Sequence, residues 1–222
     1  QDVIVGGSFT SIQEQAITNL ARWNGTNWSA VGGGVQGGPV RALAMHKGVL
    51  FVGGSFTNAG GTAAGFVASW DGINWNSLNG GVMAGAGSST PPVQALLSAN
   101  GYVYAGGRFF SAGSVVATNV ARWDGSAWES LGSGANNGTG GDVAALAAEA
   151  SGTVYVGGSF GRAGTNAVGS VTSWNQTGWE TLGGGVCCPL GSVSALAVHR
   201  DSLYVGGAFS QAGTNLVTGF AS

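Results

Sequence analysis

The side chains able to do chemistry are few and scattered. In 222 residues there are nine carboxylates, two histidines, two adjacent cysteines and seven cations. Two carboxylates could act as acid and base on a glycosidic bond, but only when both face one sugar. Asp71 and Asp124 stand in Asp-Gly pairs, which are turn signals, and Asp201 stands in a third predicted turn. Glu129 and Glu180 follow a Trp at the same point of a repeat, so they are predicted to face outward on separate units rather than converge. His46 and His199 are also repeat-equivalent, with no Cys or Asp at ligand spacing. A catalytic residue, a metal and a cofactor are therefore not expected.

The remaining polar features suit recognition better than turnover. Arg108 and Arg162 are isolated guanidinium groups able to grip a carboxylate or sulfate. Cys187 and Cys188 sit side by side in a loop, where a vicinal disulfide, a bond to another chain and two thiols all remain open. Eight Trp residues offer flat faces for sugar, but their strict spacing fits a structural ladder better. With a net charge of −2 and no basic run, neither nucleic acid nor an anionic membrane surface is implied. No apolar stretch reaches the length of a membrane span, so membrane insertion is not expected. The scarcity of charge and the wealth of small polar residues lean towards a secreted or cell-surface setting.

What must position these residues is a repeat. Gly pairs fall at Gly6-Gly7, Gly53-Gly54, Gly106-Gly107, Gly157-Gly158 and Gly206-Gly207, with steps of 47, 53, 51 and 49. Trp pairs five residues apart follow at Trp23/Trp28, Trp70/Trp75, Trp123/Trp128 and Trp174/Trp179. Each unit reads as four short strands. An alternating segment (VRALAM, VQALLS, VAALAA, VSALAV) leads to a run closed by the Gly pair, then to a strand ending at the first Trp and one beginning at the second. Asn-Gly and Asp-Gly between the Trp residues supply the positive φ of a tight hairpin. Four antiparallel strands in about fifty residues describe an all-β fold, a β-propeller of four-stranded blades.

The Gly doublet after an apolar run, the pairs Trp70-Asp71 and Trp123-Asp124 and the spaced Trp75 and Trp128 resemble the kelch superfamily. They are closer still to the divergent kelch-like repeats of secreted surface proteins. The chain departs from that pattern in having Trp where kelch repeats have Tyr, and in a shorter spacing to the second Trp. Kelch-like folds serve enzymes and adaptors alike, so the resemblance implies architecture rather than activity.

The repeat divides the single segment 1–222 into a partial blade 1–35, blades 36–82, 83–135 and 136–186, and a partial blade 187–222. The expected blade is incomplete at each end. Residues like VxALAxxxG are expected before Gln1 and like RWDGxxWxxLG after Ser222, supplied by a longer parent or by other chains at open edges. Within each unit the loop from the Gly-pair Phe to the first Trp keeps fourteen residues. The link to the next blade varies over 9, 15, 12 and 11. Both emerge on one face of an up-and-down blade, and variable loops on a repeated scaffold are where binding tends to sit. Gln36, Met83, Asn136, Asn137, Cys187 and Cys188 in the links, with Arg108 and Arg162 beside them, are the expected binding residues. The expected role is a non-catalytic module that binds a glycan or a protein through this face. The alternatives are a structural subunit of a filament, sheath or larger ring, and a fragment of a carbohydrate-active enzyme whose catalytic residues lie elsewhere.

Overall fold

The structure is a computed structural model that describes residues 2–84, 91–187 and 191–222. It is all-β, and among the described residues the helical content is a single 3-10 turn, Gly134–Asn136. No helix is long and apolar enough to cross a membrane. Five antiparallel sheets follow one another along the chain. Sheet I holds Val3–Gly6, Leu20–Trp23 and Trp28–Ala30. Sheet II holds Val40–His46, Val49–Gly54, Val67–Trp70 and Trp75–Asn76. Sheet III holds Val93–Ala99, Tyr102–Gly107, Val120–Trp123 and Trp128–Ser130. Sheet IV holds Asp142–Ala148, Val154–Ser159, Val171–Trp174 and Trp179–Thr181. Sheet V holds Ser192–His199, Ser202–Ala208 and Phe220–Ala221. In sheets II to IV the strands pair in chain order, and the first strands of successive sheets lie against one another.

The Gly doublets have two separate physical causes. Every first strand carries a bulge at the same point, between Val40 and Ala42, Val93 and Ala95, Val143 and Ala145, and Val193 and Ala195. The extra residue bends the strand and drives the carbonyl of the residue before or at the bulge onto the second glycine. A Cβ on Gly54, Gly107, Gly158 or Gly207 would collide with the carbonyl of Pro39, Pro92, Asp142 or Ser192. The first glycine faces outward from its own sheet. A Cβ on Gly6, Gly53, Gly106 or Gly157 would strike the methyl groups of Val40, Val93, Val143 or Val193, each from the following sheet. One glycine thus fixes the hairpin and the other seats the next unit.

Apolar burial lies between sheets rather than within them. Leu20 and Val31 of the first unit cluster with Leu50 and Val52 of sheet II. Phe51 of sheet II clusters with Val103 and Trp123 of sheet III, and Tyr104 of sheet III with Val154 and Trp174 of sheet IV. A single sheet therefore leaves its apolar faces unburied, and only stacking completes the core. The Trp pairs close these seams. Each pair stands cross-strand with ring centroids 5.2 to 5.5 Å apart. The second ring of three pairs then reaches the preceding unit: Trp75 Nε1 donates to Gly32 O at 2.8 Å, Trp128 Nε1 to Leu78 O at 2.8 Å and Trp179 Nε1 to Leu131 O at 3.3 Å.

One segment differs from the sequence expectation. The small-residue stretch after each Gly pair, read as a loop, is a two-residue hairpin, and the end of the preceding link pairs with it. Val35–Gln36 joins Asn58–Ala59 and Thr62–Ala63; Val82–Met83 joins Ser111–Ala112 and Val115–Val116; Val186–Cys187 joins Gln211–Ala212 and Asn215–Leu216. At the fourth such place Arg162–Ala163 and Asn166–Ala167 form the hairpin and Thr139 bridges to Ala163. The turn needs positive φ at Gly60, Gly113, Gly164 and Gly213, which lie between +53° and +56°. Beside the Gly60 turn, the approach of Trp75 also leaves no room for a Cβ.

Candidate functional site

The links after the second and fourth strands emerge together, and the small sheets they form make up one face of the molecule. On that face the residues singled out from the sequence fall into register. Gln36 pairs with Asn58, Met83 with Ser111 and Cys187 with Gln211, while Gly140 takes the equivalent place opposite Arg162 through Gly140 N–H to Arg162 O at 2.8 Å. These are four equivalent positions on four successive units, so their side chains form a row and do not converge on one point. Gln36 and Met83 are exposed and Cys187 is half-buried, its Sγ donating to Gln211 Oε1 at 3.6 Å. Cys188 lies outside the described residues.

Asn136 and Asn137 tie two units together rather than face solvent freely. Asn137 Nδ2 donates to Val116 O at 2.7 Å, and its Oδ1 accepts from Thr118 N–H at 3.3 Å. Asn136 Oδ1 accepts from Thr165 N–H at 3.4 Å, and its carbonyl accepts from Trp179 Nε1 at 3.2 Å. Arg162 donates to Gly164 O in its own hairpin and to Ala135 O in the preceding link, the latter at 3.3 Å.

The structure does bring Arg108 to a cleft. Arg108 stands where three of the other Gly-pair motifs have Ser and the fifth has Ala208, and Asp142 stands before the bulge valine where the other units have Pro39, Pro92 or Ser192. Arg108 Nη1 lies 3.6 Å from Asp142 Oδ2, with the guanidinium more than half exposed. Gly140, Gly141, Asn119 and Ser159 complete a cleft of about 350 Å³. Gly140 stands where other units have Gln36, Met83 or Cys187, so this position carries no side chain of its own. The cleft offers a cationic donor and a carboxylate acceptor side by side, a pattern that matches vicinal hydroxyls or a carboxamide. Among the described residues no three His, Cys, Asp or Glu side chains gather as a metal site would require.

Sequence reasoning missed the residue that anchors three of the links; the equivalent position in sheet II is Phe66, which shares the left-handed backbone at φ 66° but offers no polar side chain. Asn119 adopts φ 64°, accepts from Phe109 N–H at 3.2 Å and donates to Thr139 O at 2.9 Å. Asn19 does the same with Phe9 N–H at 3.2 Å and Gly38 O at 3.0 Å. Ser170 takes the place in sheet IV, at φ 60°, through Gly191 O at 2.5 Å. The available signal was an Asn, tolerant of left-handed backbone, four residues before the first Trp.

On the opposite, turn-bearing side the charged groups are used locally. Asp71 and Asp124 accept from the N–H groups of their own turns, Asp71 from Asn74 and Ile73, which holds both carboxyls below the usual range. Burial and then the hydrogen bond to Glu149 push the Tyr155 hydroxyl up to about 12.

No family model matches this chain, and no curated protein is similar to it. Among solved structures it is similar to two computationally designed proteins. Ika8 is 18% identical, with a TM-score of 0.45 over 77% of this chain. Ika4 is 16% identical, with a TM-score of 0.45 over 78% of this chain and 87% of its own. The chain spans 43% of the length of Ika8.

Proposed function

We propose that the five sheets are successive blades of a kelch-like β-propeller arc, and that the chain is a non-catalytic module of a secreted or cell-surface protein, binding a glycan or a protein through the link face. The propeller reading rests on four-stranded sheets repeating in chain order with their first strands adjacent. The binding reading rests on one observation. An unchanging backbone frame presents a different side-chain pair at the same position in each unit: Gln36/Asn58, Met83/Ser111, Gly140/Arg162 and Cys187/Gln211. A rigid scaffold with diverse equivalent positions is how repeat proteins present binding surfaces. The cleft at Arg108 and Asp142 is the part of this face best suited to polar recognition.

The test is a glycan array and a display screen against extracellular proteins, run with the native chain and with Arg108→Ala and Asp142→Ala. A ligand captured by the native chain and weakened by either substitution supports the reading. Equal capture by all three moves recognition off this cleft, and no ligand on either platform counts against a binding module. A second reading, assembly with further copies, is favoured by the exposure of Val3 on sheet I and of Leu216 and Phe220 in the last unit. Light scattering over a concentration series separates the two.

A further inference from the structure

Sheets II and III each turn one cross-strand row of side chains towards the next sheet. In sheet III the row is Glu129, Arg122, Tyr104 and Leu97, one residue from each strand. This row seals the boundary with sheet IV on the turn-bearing side. The Arg122 guanidinium donates to Glu129 Oε2 at 2.7 Å and to Gln176 Oε1 at 2.8 Å, and the Tyr104 hydroxyl donates to the same Gln176 oxygen. The guanidinium also stacks 4.1 Å over the Tyr102 ring.

Sheet II carries the same row with every member cut back. Asn76 stands for Glu129, Ser69 for Arg122, Phe51 for Tyr104 and Ala44 for Leu97. Sheet I, by contrast, keeps the arginine, as Arg22 beside Ile4. Across the boundary from sheet II, Gly125 stands for Gln176. What this leaves is a groove of about 360 Å³ between two four-stranded sheets.

The groove is lined for a cation. Asp71 enters it from sheet II and Asp124 from sheet III. In each, Oδ1 takes the hydrogen bonds of its own turn, and among the described residues Oδ2 has no hydrogen-bond partner. Ser69 is 6% exposed and lines the groove, and its hydroxyl likewise has no partner among the described residues. Phe51 and Trp123 supply aromatic walls. Lys47 is the cation among the lining residues, and His46 Nδ1 lies 2.8 Å from Ser98 Oγ. Burial, and then the charge of Lys47, hold the His46 imidazole below its usual range, so it is neutral at neutral pH. Two carboxylates against one ammonium leave the groove net negative.

We propose that this groove binds a guanidinium group, supplied by an arginine side chain of a partner or by a small guanidine. The group takes the place that Arg122 fills at the next boundary. Its N–H groups meet the unengaged carboxylate oxygens and the Ser69 hydroxyl, and its plane lies against an aromatic wall. The volume is in the range of ligand pockets. The site lies on the turn-bearing side and is independent of the link face.

The test titrates ethylguanidinium chloride into the native chain while the indole N–H resonances are followed by NMR, with Trp123→Phe identifying the Trp123 signal. A saturable shift at Trp123 is expected. Ethylammonium, which carries the charge without the planar fork, should bind about tenfold more weakly or worse. Asp71→Asn/Asp124→Asn removes the charge and keeps the turns, because Asn24 and Asn175 already make the same turn bonds at the equivalent positions. This variant should keep the native unfolding temperature and lose affinity by about tenfold or more. Ser69→Arg, which copies the sealed boundary, should abolish the shift. No saturable shift in the native chain, ethylammonium bound as tightly, or unchanged binding in the double variant overturns the proposal. N-acetyl-arginine N-methylamide separates the two sources. Binding equal to that of ethylguanidinium assigns the groove to an arginine side chain, and its exclusion assigns the groove to a small guanidine.

Discussion

Where sheet III meets sheet IV, Arg122 is 17% exposed, paired with Glu129 at 2.7 Å, bonded to Gln176 and stacked 4.1 Å over the Tyr102 ring. Where sheet I meets sheet II, the equivalent Arg22 is half exposed and, among the described residues, its ion pair is with Asp2 at 2.6 Å. Both boundaries share a bulged first strand in the following sheet, a valine seated on the glycine of the preceding sheet and a Trp pair at the outer hairpin, but the preceding sheet has three strands where sheets I and II meet and four at the other boundary. The repeat therefore fixes how sheets stack, while a few side chains on the turn side decide whether the seam is closed. Stacking and sealing are separate properties of this chain, carried by different residues.

The largest effects should come from the shared frame. Gly106→Ala and Gly6→Ala each force a valine of the next sheet out of its seat, and each is expected to cost about 1–3 kcal/mol by urea unfolding. A cost at one and none at the other would break the claim that both boundaries share one frame. Gly206→Ala is the control, since only Ala195 comes near, at 3.9 Å. It is expected to stay within about 0.5 kcal/mol of the native chain.

The seam itself gives the next contrast. Arg122→Ala leaves Glu129 without its guanidinium partner and Gln176 Oε1 with the Tyr104 hydroxyl alone, and is expected to cost about 1–2 kcal/mol. Arg22→Ala removes an exposed pair and should change stability by about 0.5 kcal/mol or less. Equal losses would mean that sealing does not differ between the boundaries. The smallest effect is one of pH. Tyr155 ionises near 12 in the folded chain against 10.0 when unperturbed. Its contribution is whole below pH 10 and is lost as pH rises through about 12, because the unfolded chain gives up the proton first. Tyr155→Phe should flatten that alkaline decline in a pH series of unfolding midpoints.

The four-strand unit could be read directly, because VxALA alternation, the Gly pair and the Trp pair are local signals with strand period or turn chemistry. The small sheets could not. Val35–Gln36 and Asn58–Ala59 are two residues long, too short to show alternation, and their pairing joins residues 22 and 24 apart in the chain. The Ala-Gly step three and four residues after Phe56, Phe109, Phe160 and Phe209 was the one visible trace of those hairpins. For the same reason Gln36, Met83 and Cys187 were recognisable as link residues, but not as one repeated position facing Asn58, Ser111 and Gln211. The Arg108–Asp142 cleft was half legible. Arg108 stood out by breaking the GGSF pattern, whereas Asp142 acquires meaning only once the bulge brings it to the same edge.

The small sheets also bear on how the chain would respond to force. Each is made from the tail of one unit and the hairpin of the next, so neighbouring units are laced together by backbone hydrogen bonds as well as by apolar contact. Pulled from its two ends, such a chain should rip in discrete events. Each event would free about fifty residues, or roughly 170 Å of contour at about 3.4 Å per residue. The boundary sealed by Arg122 and Tyr104 should hold to a higher load than the open one beside Ile4. A force-extension trace would then read the stacking order of the units as a sequence of unequal peaks.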